Sequence, residues 1–197
     1  AGTLNASGGG SSSGSLALSS GTQVNLTAGT HNLAASSSVT NLGRYRVNGG
    51  TLAINGTGVS ADNLDVLSGT LQGTGTLTVN TSMNWDGGTQ ATNTGTTTIA
   101  SGAVLTMAGG TKTLSRRILN QGTVNWTAGA INTIFDGTVL ENQSQFNIKT
   151  DSNITGDNTN LETFLNTGTV TKSVTAGTTA ISNVRFTNNS PGVLDVQ

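Results

Sequence analysis

The chain has 197 residues, a formal charge of −1, only 9% charged and 4% aromatic side chains, 28 Gly, one Pro and no Cys. Eight Lys and Arg in a near-neutral chain cannot neutralise many phosphates, so no nucleic-acid partner is expected. No apolar run is long enough to span a membrane as a helix, and the absence of Cys excludes a disulfide framework or thiol chemistry.

In chain order the sequence repeats one phrase: apolar, any, apolar, two residues, then Gly, usually with Thr after it. It reads Val24-x-Leu26 before Gly29-Thr30, Tyr45-x-Val47 before Gly50-Thr51, and Leu64-x-Val66 before Gly69-Thr70. It continues with Met83-x-Trp85 before Gly88-Thr89, Leu105-x-Met107 before Gly110-Thr111, and Val124-x-Trp126 before Gly129. Two weaker copies are Phe146-x-Ile148 before Asp151 and Lys172-x-Val174 before Gly177-Thr178. The steps between turn positions are 21, 19, 19, 22, 19, 22 and 26 residues. Short alternating segments at a period near 20 are the mark of a solenoid. The expected fold is all-β, a right-handed parallel β-helix of about nine rungs, each about 19–27 residues long.

Strands are predicted at 15–19, 23–27, 44–48, 51–55, 76–80, 96–100, 104–108, 123–127 and 145–149. Alternation along a strand puts Leu105 and Met107 on one side and Thr106 on the other. Stacking then gives two apolar columns. The first runs Val24, Tyr45, Leu64, Met83, Leu105, Val124, Phe146, Leu194; the second runs Leu26, Val47, Val66, Trp85, Met107, Trp126, Ile148, Val174, Val196. Leu4, Leu52, Leu71 and Ile131, each following a turn, complete a narrow interior. Gly2, Gly29, Gly50, Gly69, Gly88, Gly110, Gly129 and Gly177 form a turn ladder, where sharp corners call for positive φ. Asn120, Asn142, Asn166 and Asn188, spaced 22, 24 and 22 apart, read as a second ladder of like amides bonding from rung to rung.

Written head to tail, Leu194-x-Val196 followed by Gly2-Thr3 completes a further copy, 22 residues after Gly177. The chain is therefore expected to be one segment of a longer rod, continued by copies of itself or by flanking rungs. Nine rungs at an interstrand spacing of about 4.8 Å make a rod of roughly 43 Å.

No catalytic set, cofactor site or metal site is read from the sequence. The nine carboxylates (Asp62, Asp65, Asp86, Asp136, Glu141, Asp151, Asp157, Glu162 and Asp195) do not fall at one-rung spacing, and are read as solvated. His31, the single histidine, has no acidic residue within 30 positions. Trp85 and Trp126 are candidates for stacking on a sugar, but their shared column reads better as core. Arg116 and Arg117, the one basic pair, are the remaining candidates for contact with a surface glycan. The Thr residues after the turns lack the two-column regularity of an ice-binding face, and no Gly-Gly-x-Gly-x-Asp calcium repeat occurs.

The strings Gly75-Thr76-Leu77-Thr78-Val79, Trp85-Asp86-Gly87-Gly88-Thr89, the run from Gly95 to Leu105, and Leu119-Asn120-Gln121-Gly122-Thr123-Val124-Asn125-Trp126 resemble repeats of large bacterial haemagglutinin and adhesin-type surface proteins. The resemblance implies a filamentous right-handed β-helix, secreted or at the cell surface, serving adhesion or matrix, with no catalytic residues to carry over. It is weakest over 130–165, where Asp136, Glu141, Asp157 and Glu162 sit. That stretch reads as a lateral loop and as the place to look for a specific function. The alternatives are a carbohydrate-binding or pectin-lyase-like β-helix and a phage tail-spike-like fibre.

Overall fold

Alternating segments of three or four residues, broken by Gly, Asn and Ser, are too short to pair with their own neighbours in hairpins. They pair instead with the equivalent segment one period away, and every strand pairing is parallel. The computed structural model describes residues 2–91, 94–159, 161–173 and 176–197. Among these the fold is all-β: a parallel β-solenoid of about nine turns, without helix.

Each turn lays down three strands. The first face stacks Thr3–Ala6, Gln23–Leu26, Arg44–Val47, the ends of the long strands Val59–Val66 and Thr76–Trp85, then Val104–Met107, Thr123–Trp126, Gln145–Ile148, Thr169–Lys172 and Val193–Val196. The second face is a nine-stranded sheet running from Gly10–Ser12 to Ile181–Ser182. The third stacks Ser15–Ala17, Ser38–Thr40, the starts of the two long strands, Thr96–Ile99, Arg117–Asn120, Val139–Asn142, Thr163–Asn166 and Arg185–Asn188.

On the first face the expected columns point inward: Val24, Tyr45, Leu64, Met83, Leu105, Val124 and Phe146 in one, Leu26, Val47, Val66, Trp85, Met107, Trp126 and Ile148 in the other, all buried. Three details differ from the sequence reading. The coil after Phe146 contributes Val170, which pairs with Phe146 and Leu194, so Lys172 rather than Val174 stands between Ile148 and Val196; Val174 itself lies outside the described residues. Thr3–Ala6 pairs with Gln23–Leu26, so Leu4 belongs to the first face and does not follow a turn. Gly2-Thr3 therefore does not occupy the post-turn position that the head-to-tail reading gave it.

Toward the carboxy-terminal end the third face adds an aromatic stack, Phe146–Phe164–Phe186, with ring centroids 5.1 and 5.2 Å apart. Tilted and edge-on rings at such distances are favoured by their quadrupoles. At the two ends the apolar columns meet solvent through Leu4, Val193, Leu194 and Val196, each at least half exposed.

Candidate functional site

The corner between the first and second faces is a stack of glycine backbones. Gly29, Gly69, Gly88 and Gly129 have φ between +66° and +78°. A Cβ on Gly69 would sit 2.3 Å from the Gly50 oxygen, and one on Gly129 would sit 2.0 Å from the Gly110 oxygen. At the Gly49-Gly50 and Gly109-Gly110 pairs the first glycine, not the second, carries the positive φ. Gly2 is not in this stack; the rung below Gly29 places Gly9 there, with φ +80°. Gly177 closes the series over the Asp151 carboxylate.

The asparagine ladder is formed inside the solenoid. Asn120 Nδ2 donates to Asn142 Oδ1 at 2.7 Å, Asn142 to Asn166 at 2.7 Å, and Asn166 to Asn188 at 2.6 Å. The first three are fully buried. Each amide also reaches over the corner to carbonyls of the first face, as Asn142 does to Thr169 O at 3.1 Å.

Trp85 and Trp126 are completely buried. Neither can stack on an external sugar, and the glycan role is corrected to core. The Trp126 indole donates to Gly129 O at 2.8 Å, while the Trp85 indole nitrogen is buried without a partner. Arg116 is corrected likewise. Its guanidinium lies wholly inside the corner between the second and third faces, donating to Gly73 O, to Gly75 O (2.6 Å), to Thr96 O (2.9 Å) and to Thr97 Oγ1 (3.1 Å). Burial lowers its pKa to about 10. Lys112 is a second buried cation, with Nζ donating to the Ala108, Gly110 and Ala128 carbonyls; burial pushes it down to about 8 despite the opposing pull of Asp86. Both cations plug corners where coils leave carbonyls unpaired. Only Arg117 of the basic pair reaches solvent, and there it forms an ion pair with Glu141.

On the outer side of the first face, Arg44 and Arg46 converge on the buried carboxylate of Asp65, which Asn84 Nδ2 also meets at 2.9 Å. Burial alone would raise the Asp65 carboxyl; the hydrogen bonds and charges of the two arginines outweigh it and hold the group below its usual range. Asp62 shares the strand Val59–Val66 with Asp65 instead of lying in a loop, and accepts from Asn41 N at 2.8 Å. His31 pairs with Leu52 and lines a concavity of about 250 Å³ at the amino-terminal end. A concavity of about 460 Å³ lies at the other end, between Ile148, Val170, Ile181, Phe186, Leu194 and Val196.

One group of carboxylates that sequence spacing keeps apart is brought together. Asp136 lies on the connection between Ile131–Thr133 and Val139–Asn142; Asp157 and Glu162 lie on the equivalent connection one coil later. One oxygen from each falls within 4.8 Å of the other two. The Thr159 hydroxyl sits 2.5 Å from Asp136 Oδ1 and 2.7 Å from Asp157 Oδ1. The Thr159 contacts hold the Asp157 carboxyl below its ordinary range. Corner connections of five and seven residues, against two at Ser115-Arg116, let these chains bulge outward. The signal available in the sequence was the break in periodicity over 130–165; the pairing of these residues depends on loop paths that periodicity does not encode.

No family model matches this chain, and no curated protein or solved structure matches it significantly.

Proposed function

We propose that the chain is a structural segment of an extracellular bacterial adhesin or filament, a stiff β-helical rod serving adhesion or matrix. The observation that carries this reading is the first face: ten parallel strands in continuous register with a dry interior beneath. Backbone hydrogen bonds in such a ladder run along the axis, so stretching the rod loads many of them at once, and bending it compresses packed side chains. The outward positions are mainly Thr, Ser, Asn and Gln, and several bond to their neighbours one coil away, as Asn147 does to Asn125 (3.0 Å) and Ser82 to Asn63 (2.7 Å). The end layers would accept further coils, whether from flanking chain or from a second copy, because they expose strand edges together with Leu4, Leu194 and Val196.

Electron microscopy of the isolated protein tests this. Uniform straight rods that associate end to end support the reading. Compact single particles that bind or degrade polysaccharide would replace it with the carbohydrate-active alternative, and discrete trimeric spikes with the fibre alternative.

A further inference from the structure

We propose that Asp136, Asp157 and Glu162 form a binding site for a divalent cation, calcium by its ligand chemistry, which ties two successive coils together at the side of the rod. Asp136 belongs to one coil, and Asp157 and Glu162 to the next, so a shared ion would cross-link connections that no strand pairing holds. All donors are carboxylate oxygens, the ligands of a hard cation, and no His or Cys takes part. Oxygens coordinated at about 2.4 Å can lie up to about 4.8 Å apart across the ion, and the three carboxylates meet that limit.

The observation pointing to a missing partner is Glu162. The residue is fully buried, and its Oε2 is shielded from water with no hydrogen-bond partner. A buried carboxylate oxygen left unpaired is strongly unfavourable, the more so beside two further carboxylates. Its other oxygen receives only a 3.4 Å contact from Asp157 N. None of the four ion pairs among the described residues supplies a cation to this group. The backbone at Gly156 packs close to Glu162 Oε2, leaving the exposed Asp136 and Asp157 as the open side. An ion entering there would satisfy Glu162 and neutralise the repulsion, with water and loop carbonyls completing its shell.

Site flexibility and exposure place the affinity in the range of extracellular calcium modules, a dissociation constant of about 10⁻⁴–10⁻³ M. The test is calorimetric titration of the whole chain with calcium chloride, paired with thermal melts in calcium and in sodium chloride of equal ionic strength. The expected result is saturable binding of one ion and a melting midpoint that climbs with calcium but not with sodium. Asp136→Asn, whose exposed side chain is not needed for folding, should weaken binding at least tenfold, and Asp157→Asn with Glu162→Gln should abolish it. Asp195→Asn, an exposed carboxylate elsewhere, should change nothing. Absence of calcium heat in the folded wild type, a shift matched by sodium, or a shift retained in the Asp136→Asn and double variants would each overturn the site.

Discussion

The two halves of the solenoid turn the same corner by different means. Between the third and first faces, the amino-terminal half runs straight through: Val59–Val66 and Thr76–Trp85 are single strands bent at a register shift between Val79 and Ser82, with apolar Ala61, Val79 and Ile99 stacked inside. In the carboxy-terminal half the strands break, and the column continues in register from Ile99 into Asn120, Asn142, Asn166 and Asn188. Where the backbone ladder is continuous, its groups satisfy one another and an apolar side chain suffices. Where a short connection interrupts it, carbonyls such as those of Ser144, Gly168 and Val193 need donors, and the amides provide them. An unbranched polar ladder tolerates register error poorly, because every amide is both donor and acceptor to its neighbours.

The largest effect should come from interrupting that ladder. Asn142→Leu removes the acceptor for Asn120 and the donor for Asn166, burying unpaired polar atoms at about 1–3 kcal/mol each. Urea unfolding should show a loss of about 3 kcal/mol or more, against about 1 kcal/mol for Ile99→Val in the other half. Similar losses for the two would mean that the halves do not differ in the way argued.

The opposite corner is built alike in both halves, so Gly69→Ala and Gly129→Ala should cost the same. Each meets a carbonyl oxygen of the coil below at 2.3 and 2.0 Å and carries positive φ. Thermal melts should show each variant destabilised by about 2–3 kcal/mol, beyond the 1–2 kcal/mol of left-handed backbone alone. A large difference between them would break the equivalence.

The tryptophans give a finer contrast. Trp126→Phe strands the Gly129 carbonyl and should cost about 1 kcal/mol more than Trp85→Phe, whose indole nitrogen makes no hydrogen bond. The smallest effect concerns Lys112, near the junction of the halves. Its folded pKa of about 8 lies below the ordinary value of 10.5, so between those pH values the unfolded chain binds more protons and stability rises with pH. That rise, followed by unfolding at pH 7 to 11, should disappear in Lys112→Met.

Much of this architecture was legible because period and alternation act together. Leu105 and Met107 fall in line with Val124 and Trp126 only if the coils stack in parallel, and equal asparagine spacing told the same story. The charged residues were harder. Arg116 and Lys112 read as solvated because corners normally are; their burial follows from carbonyls gathered by several coils, which no local string reveals. Lys172 was displaced from its column for a related reason: it occupies an apolar position yet bonds Thr150 O and Asp151 at the open end. Leu4 was misplaced because Gly2-Thr3 matches the turn phrase in letters while Thr3–Ala6 pairs in the frame of Gln23–Leu26. The acidic group stayed hidden since its members sit on connections of unequal length.

Register between coils can be read directly with cysteine pairs, as the chain has none of its own. Thr106, Asn125 and Asn147 face outward on three successive first-face strands. Neighbouring strands about 4.8 Å apart fit disulfide geometry, and strands two coils apart, at about 9.6 Å, do not. Mild oxidation of Thr106→Cys with Asn125→Cys should yield an intramolecular cross-link, and Thr106→Cys with Asn147→Cys should yield none. A cross-link in the second pair, or its absence in the first, would contradict the stacking on which the rod depends.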